Sequence, residues 1–318
     1  MSDASGEFGR TIQLFLVDGS ANGLIIATLH GWTGALVVCK QSTFDRLLKR
    51  HELDRTGVYI LYGPDPDNPL KMRAYIGEAD SVKERITHSA SSHAFWETAV
   101  AITTSDDALT KGHVRYLEAR LWELSNEAGR VTLANSQQPG AERRRLPEAD
   151  RANMESFLAN LRTILPVVGL NLLKPQSRVV QTAQRMTTTK NSDAQVTEAA
   201  QVKFEIRHKS GVKATAVEEN DEFVVLKDSE ALRDTGYVQQ SYGELKADLL
   251  KQSVLVSSST NDRYIFVSSF PFKSPSAAAA IVLDRNANGR LEWKVVGKPM
   301  TYHQWQELKS GQPSEAAE

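Results

Sequence analysis

The chain has 318 residues, about twice the length of a common domain, which favours two domains joined by a linker. Hydrophobic residues make up 41% of the chain, and 38 Lys and Arg against 39 Asp and Glu give a net charge of −1. This balance excludes a uniformly basic nucleic-acid coat protein, although it leaves room for a local basic groove. The single cysteine, Cys39, excludes an intrachain disulfide and a four-cysteine zinc site.

The sequence also bears on the compartment. No run reaches the roughly 18 apolar residues that a membrane-spanning helix requires. The first ten residues lack the basic and then apolar pattern of a signal peptide. We therefore expect a cytoplasmic protein that does not contact a membrane.

Short apolar runs separated by turn signals predict three β-strands near the N-terminus, at residues 11–17, 24–29 and 35–38. Ser42 can then cap a short helix that ends near His51. These elements predict a small β-rich unit at the start of the chain.

The central part of the chain alternates strand and helix signals. A β-branched and aromatic run predicts a strand at 58–62, and a loop that contains Pro64, Pro66 and Pro69 separates it from a strand at 73–76. The remaining predicted elements of this part are a helix capped by Asp80 or Ser81, a strand at 97–103, and helices at 108–128 and 148–165.

Residues 174–201 are rich in Gln, Thr, Ser and Ala, which predicts a linker. A cap at Ser274 followed by proline and four alanines predicts a helix that runs to Leu283. Asn288-Gly289 predicts a turn into a closing strand at 291–296. Further strands are predicted at 202–207, 222–226 and 264–267.

Together these elements predict an α+β protein. A small antiparallel sheet flanked by helices is expected in the centre, with the β-rich unit before it and a separate small α+β domain after it. The predicted divisions are 1–52 for the N-terminal unit, 53–172 for the central domain with its trailing helix, 173–201 for the linker, 202–310 for a C-terminal accessory domain and 311–318 for the tail.

Two tripeptides in the central domain point to a function. Gly57-Val58-Tyr59 lies at the start of one predicted strand, and Tyr75-Ile76-Gly77 lies at the end of the next. Tyr75 follows Tyr59 by sixteen residues. Further polar landmarks follow in a fixed order on the next helix, the long helix and the loop after it: Arg85, His88, Glu118 and Asn135. Over residues 57–140 this ordered series resembles the GIY-YIG nuclease superfamily.

The resemblance implies a metal-dependent endonuclease that hydrolyses phosphodiester bonds, with DNA as the expected substrate and Mg²⁺ or Mn²⁺ as cofactor. The residue chemistry agrees with it. Glu118 can hold one such ion, which usually keeps several waters and takes one or two carboxylates. Arg85 offers a planar fork that suits two phosphate oxygens.

The resemblance also assigns roles to the other landmarks. Tyr75 is expected to act as the general base with Tyr59 as its helper, although a tyrosine with a pKa near 10 is ionised in only about one molecule in a thousand at pH 7. His88 would position the phosphate or relay a proton, and Asn135 matches the late asparagine of the family. Glu78 stands where the repair branch of the family often has a lysine.

Each of these residues also has an ordinary structural explanation. Two tyrosines on neighbouring strands commonly form a packing pair, and Glu118 can pair with Arg115 on the same helix. The alternative function is therefore a catalytically silent nucleic-acid-binding or scaffold protein that keeps the nuclease fold.

Charge is distributed unevenly along the chain. Residues 57–140 hold eight Lys and Arg against eleven Asp and Glu, whereas 176–215 hold seven against three and 263–298 hold six against two. The binding of a polyanion depends on such local cations. The expected nucleic-acid contacts are Arg143, Arg144 and Arg145 beside the core, and Lys273, Arg285, Arg290 and Lys294 near the C-terminus. Solvated surface charge would explain the same residues.

The stretch from Phe270 to Lys294 resembles a small uncharacterised domain, DUF4357-like, that often follows this type of nuclease. Its cations surround a predicted helix N-terminus and a tight turn, where free backbone N–H groups suit a phosphate. Substrate targeting is our hypothesis for this domain, and protein docking fits the same residues. The substrate's structure, the biological pathway and the oligomeric state are left open by the sequence.

Overall fold

The structure is a computed structural model, and it forms two compact units, Met1–Pro175 and Gln176–Glu318. Both units mix helices with sheets, which confirms the predicted α+β class. In the described part of the chain, no helix is both long and apolar enough to cross a membrane. The described residues are 9–135, 137–140, 145–176, 202–220, 222–233, 240–258 and 262–309.

The N-terminal unit is built on one seven-stranded sheet, with the strand order β1-β2-β3-β6-β4-β5-β7. Neighbouring strands are antiparallel except β5 and β7, which are parallel. The three N-terminal strands continue this sheet because β3 pairs with β6 along its whole length. The strands are β1 (Ile12–Leu16), β2 (Ile25–Leu29), β3 (Gly34–Lys40), β4 (Gly57–Asp65), β5 (Asn68–Ala79), β6 (Thr98–Thr104) and β7 (Val131–Leu133).

Four α-helices accompany this sheet among the described residues: α1 (Phe44–Leu47), α2 (Val82–Ser92), α3 (Lys111–Ala128) and α4 (Glu148–Ile164). The helix expected from Ser42 to His51 is a single turn, because 3-10 turns at Gln41–Thr43 and His51–Asp54 enclose it. In contrast, α3 is long and has a complete cap. Thr110 accepts from the N–H of His113, and Gly129 ends the helix in the left-handed conformation.

Two apolar cores cover the two faces of the sheet. Val58 and Ile60 of β4 belong to one core, and Tyr59 and Leu61 belong to the other, as the alternation of a strand requires. Helices α3 and α4 pack on the face of Ile60, whereas α1 and α2 pack on the face of Tyr59. Any chemistry carried by α2 and α3 therefore approaches the sheet from opposite sides.

The predicted proline-containing loop is wrong, because these residues extend the β4–β5 hairpin. β4 runs to Asp65 and β5 starts at Asn68, so Pro64 and Pro69 lie inside strands. β4 pairs with β6 only as far as Tyr62. Pro64 thus lies in a part of the strand that has a partner on one side, which is where a sheet tolerates proline.

The C-terminal unit contains a five-stranded sheet, β14-β10-β9-β8-β15, and a three-stranded sheet, β11-β13-β12. Its strands are β8 (Lys203–Arg207), β9 (Lys213–Glu219), β10 (Glu222–Val225), β11 (Glu230–Leu232), β12 (Leu255–Ser257), β13 (Arg263–Phe266), β14 (Phe270–Phe272) and β15 (Lys294–Val295). Its helices are α5 (Gln240–Lys251), α6 (Pro275–Leu283), α7 (Gly289–Glu292) and α8 (Tyr302–Lys309).

The predicted helix after Ser274 is confirmed. The Ser274 hydroxyl accepts from the N–H of Ala277 at 3.1 Å, and α6 is buried from Ala277 to Leu283. The predicted closing strand at 291–296 is wrong in its first half. Asn288 caps the short helix α7 with its side chain instead of forming a turn, so the strand is reduced to β15.

Candidate functional site

The two sequence motifs lie side by side on antiparallel strands. Tyr59 of β4 is directly opposite Gly77 of β5. A Cβ at position 77 would lie 2.4 Å from both Cζ and Oη of Tyr59, so only glycine leaves room for the tyrosine ring. Gly57 is under a similar restriction, because a Cβ there would lie 2.4 Å from the carbonyl oxygen of Ile102. The glycines of both motifs therefore have a packing role.

Tyr59 is completely buried between the sheet and α2. Its hydroxyl shares a 2.8 Å hydrogen bond with the hydroxyl of Ser89, one of the buried residues of α2. Burial raises the pKa of Tyr59, and the Ser89 hydrogen bond and the positive charge of Arg85 offset this rise only in part. Tyr59 is therefore neutral at pH 7 and is suited to positioning its neighbours.

Tyr75 is the more accessible of the two tyrosines, since its side chain is only half-buried. Its ring centroid lies 6.1 Å from that of Tyr59 and 4.4 Å from that of His93. The His93 Nδ1 atom lies 2.9 Å from the carbonyl oxygen of Ser89, which ties this ring to the end of α2. Tyr75 therefore has a contact with a titratable ring and a path to solvent.

Sequence reasoning missed Ser89 and His93 as parts of this site. A signal for Ser89 was present, because Val82, Ile86 and Ser89 are spaced as one buried face of a helix. His93 ends the same helix, and only the folded β5 strand brings Tyr75 against it.

Arg85 and His88 lie three residues apart on α2, and both are exposed. Within the described ranges Arg85 forms neither an ion pair nor a side-chain hydrogen bond, yet its charge acts on the hydroxyl of Tyr59. An arginine near a buried tyrosine and without a carboxylate partner among the described residues can accept an anionic ligand. The structure thus groups Tyr59, Tyr75, Arg85 and His88 on one side of the sheet.

Glu118 approaches from the other side. It lies on α3, between Leu117 and Ala119, and is 8% exposed. Among the residues that the structure describes, no three His, Cys, Asp or Glu side chains cluster as metal ligands. A single carboxylate suits a magnesium or manganese ion that keeps several waters and binds substrate phosphate, and it does not suit zinc.

Asn135 joins the site through the backbone of the YIG motif. Its Oδ1 accepts from the N–H of Ile76 at 3.1 Å, and its Nδ2 donates to the carbonyl of Ile76 at 2.7 Å. The side chain thereby continues the pairing that β7 makes with β5 up to Ala74. The described geometry gives Asn135 a bracing role, because it holds the residue between Tyr75 and Gly77 in place.

Glu78, the residue that follows the second tripeptide, has a cationic partner. The ammonium group of Lys111, at the start of α3, lies 2.8 Å from Glu78 and 3.1 Å from Asp80. The carboxylate charge that the sequence adds beside the motif is therefore compensated locally.

In the C-terminal unit, a family model described as "Domain of unknown function (DUF4357)" matches residues 204–306. The C-terminal unit carries a DUF4357 domain. This match confirms the C-terminal part of the resemblance and does not extend to the N-terminal unit. Comparison with curated proteins and with solved structures gave no match.

The cations expected to bind phosphate in the DUF4357 domain divide into two groups. Lys273 and Lys294 are exposed. Arg285 pairs with Glu292 at 2.5 Å, and Arg290 donates to Nδ1 of His303 at 2.6 Å, so both guanidinium groups are engaged within the domain. In the N-terminal unit Arg145 is exposed, whereas Arg143 and Arg144 lie outside the described residues.

At the start of α6, where the sequence predicts a phosphate contact, polar groups already have partners within the domain. Ser274 already caps the helix, and the N–H of Gly289 donates to Ser276 at 3.1 Å. A Cβ at Gly289 would lie 2.1 Å from the carbonyl carbon and oxygen of Pro275, and the indole of Trp293 donates to that oxygen. The first turn of α6 is therefore packed against α7.

Proposed function

We propose that the N-terminal unit is a metal-dependent endonuclease that hydrolyses phosphodiester bonds, with DNA as its substrate. The observation that carries the proposal is the grouping of Tyr59 and Tyr75 on adjacent strands with Arg85, an arginine that has no carboxylate partner within the described ranges. Hydrolysis of a phosphodiester requires an activated water and positive charge near the phosphate.

The residues of the chain divide these tasks. Arg85 binds two phosphate oxygens with its planar guanidinium group. In its ionised form, Tyr75 orients the attacking water and takes its proton to become a neutral phenol, while Tyr59, fixed by Ser89, holds the ring of Tyr75 in position. His88 contacts the phosphate from the same helix. Glu118 would hold a Mg²⁺ or Mn²⁺ ion, which when bound stabilises negative charge on the phosphate and lowers the pKa of a bound water.

The proposal places the substrate at the edge of β5. Tyr75 lies on β5, and Glu118 lies on α3, which packs on the opposite face of the sheet, so one phosphate can contact both only around an edge of the sheet. β7 covers β5 only from Met72 to Ala74, and beyond it Asn135 pairs with Ile76. Asn135 then acts as a positioning residue, because it keeps Tyr75 in register without touching the phosphate.

The test is cleavage of supercoiled plasmid, branched DNA and RNA with Mg²⁺, Mn²⁺ or a chelator. Removing one preorganised charge from a catalytic site costs about 10²- to 10³-fold in rate. We expect losses of that size for Arg85→Ala and Glu118→Gln. The matched controls are Lys83→Ala on α2 and Arg115→Ala on α3, two exposed cations on the same helices. Cleavage that survives both site substitutions would refute the assignment.

The second candidate is a catalytically silent nucleic-acid-binding or scaffold protein. The observation that favours it is the burial of Glu118 and Tyr59, which restricts the access of a hydrated ion and of water. Fluorescence anisotropy with labelled duplex, branched and single-stranded oligonucleotides separates the two functions. Binding that weakens with salt, together with no cleavage under any metal ion, would establish the silent function.

We also propose that the DUF4357 domain contributes substrate binding through its exposed cations. Each lysine that contacts a phosphate adds about one unit to the slope of log affinity against log salt. Lys273→Ala and Lys294→Ala are therefore each expected to reduce that slope by about one unit. Lys298→Ala, another exposed cation of the same domain, is the control. An unchanged slope in both variants would contradict this role. Protein docking would then be the remaining hypothesis for the domain.

A further inference from the structure

The edge strand β1 exposes apolar side chains that the described residues of its unit leave uncovered. β1 forms one edge of the seven-stranded sheet. Leu14, Phe15 and Leu16 are 44%, 55% and 37% exposed, and the strand contains no charged residue. Proteins usually protect such an edge with charges, prolines or bulges, because an unprotected apolar edge pairs with another strand.

The backbone of β1 is also arranged to pair outward. The carbonyl of Thr11 accepts from the N–H of His30, and the N–H of Val17 donates to the carbonyl of Leu24. Both bonds follow the register of the β1–β2 pair and fall on odd-numbered residues of β1. Ile12 and Leu14 therefore direct their N–H and C=O groups away from the sheet, as does Leu16 with its N–H, while the Leu16 carbonyl also accepts from the N–H of Gly19.

We propose that β1 pairs antiparallel with β1 of a second copy of this chain, about a two-fold axis at Leu14. The outward backbone groups are centred on Leu14, so the two copies can exchange hydrogen bonds symmetrically. In this register Leu14 faces the partner's Leu14, and Ile12 faces the partner's Leu16. All three positions are apolar, and a two-fold interface requires this kind of self-complementary surface.

The charges that flank β1 select a second copy in the antiparallel direction. Arg10 precedes the strand and Asp18 follows it. Antiparallel pairing about Leu14 places Arg10 at the same end of the strand pair as the partner's Asp18, whereas parallel pairing would bring like charges together. Within its own chain Arg10 donates to Asn160, and Asp18 pairs with Arg46 and accepts from the N–H of Leu24, so the contact between copies sets the direction of pairing and adds little to its strength.

The position of Leu14 on the axis gives a sharp test. Leu14→Lys and Leu14→Glu each place like charges opposite each other, so each variant alone is expected to be monomeric. An equimolar mixture of the two is expected to regain the dimer, because Lys then faces Glu. Sedimentation equilibrium and light scattering would follow the doubling of the 35.2 kDa chain mass over a range of concentrations. Val167→Lys, at another exposed apolar residue of the same unit, is the control.

A cross-link tests the register independently. Cys39 is the only cysteine and is buried, so Leu14→Cys supplies the accessible thiol. Facing residues of a hydrogen-bonded antiparallel pair have Cα atoms about 5.5 Å apart, within the usual range for a disulfide. Mild oxidation should link Leu14→Cys chains into dimers and leave Val167→Cys chains unlinked.

Three results would overturn the proposal. One is a wild-type chain that stays monomeric at every concentration, and another is a dimer that Leu14→Lys does not dissociate. The third is a mixture of the Lys and Glu variants that shows no dimer although both melt at the wild-type temperature. Leu14 is exposed, so these substitutions test pairing and leave the core intact.

Discussion

Replacing Gly77 with alanine tests the packing that joins the two motifs. The new methyl group would lie 2.4 Å from Cζ and Oη of Tyr59, and the tyrosine ring must move because it is enclosed by the sheet and α2. Overpacking of this kind costs about 1–3 kcal/mol, and losing the bond to Ser89 costs about 1 kcal/mol. The lower entropy of alanine in the unfolded chain returns about 0.5–1 kcal/mol. The free energy of unfolding should therefore fall by about 1–3 kcal/mol.

Hydrogen exchange followed by mass spectrometry measures this loss separately in each unit. A loss of 1–3 kcal/mol corresponds to exchange that is about 5- to 150-fold faster in peptides of β4 and β5. Peptides of the C-terminal unit serve as the internal reference. Gly112→Ala is the matched control, because its nearest neighbour is the flexible end of Leu146 at 3.2 Å.

A double-mutant cycle shows whether the clash with Tyr59 causes the loss. Tyr59→Phe removes Oη, one of the two atoms at 2.4 Å. The cost of Gly77→Ala should therefore be smaller in the Phe background than in the wild type. Wild-type exchange in Gly77→Ala, or strict additivity in the cycle, would refute the reasoning.

Three further predictions concern groups away from that contact. Asn135→Ala removes both hydrogen bonds to Ile76, which should cost about 1–2 kcal/mol and speed exchange of the Ile76 amide. Burial raises the pKa of Cys39 from 9.0 to about 12. Its neutral thiol therefore adds stability below pH 9 that is lost as the pH rises towards 12, and it should not react with a thiol reagent in the native protein at pH 8. Lys246 and Asp284 form a buried pair at 2.5 Å, so Lys246→Met should cost about 3–5 kcal/mol, and adding Asp284→Asn should recover a large part of it.

Each of these predictions has a result that contradicts it. For Asn135, the contradiction is an Ile76 amide that exchanges at the wild-type rate. For Cys39, it is modification of the folded protein at the rate of a free thiol, with urea-unfolded protein as the control. For the buried pair, it is a double variant that is less stable than Lys246→Met alone in chemical unfolding.

The sequence was most informative where a local rule also governs the folded chain. The helix after Ser274 follows from its cap, its proline and its alanines, and α3 follows from the spacing of its leucines. The prediction of a proline-containing loop was wrong because a strand tolerates Pro64 only where β6 no longer pairs with β4. The end of that pairing is set by the tertiary structure. The closing strand failed because Asn288 serves equally well in a turn and as a helix cap.

The candidate site was also predictable only in part. The order of the motifs placed Tyr59 and Tyr75 on neighbouring strands, which the register of the hairpin confirms. Sequence order carries no information on which face of a sheet a later helix will cover. It therefore did not show that Arg85 and Glu118 lie on opposite sides of the sheet, or that Asn135 completes the edge of β5.

The edge of β5 is consequently where the proposed activity is most vulnerable. Tyr75 is held from one face by its contacts with Tyr59 and His93, and Asn135 holds the adjacent Ile76 along the strand edge. In the proposed reaction a phosphate contacts Tyr75 and Glu118 around this edge, so a shift of the strand would move one group relative to the other. Misplacement of a reacting group by about 1 Å can cost about 10²-fold in rate. A substitution of Asn135 is therefore expected to lower the proposed activity although Tyr75, Arg85 and Glu118 are all unchanged.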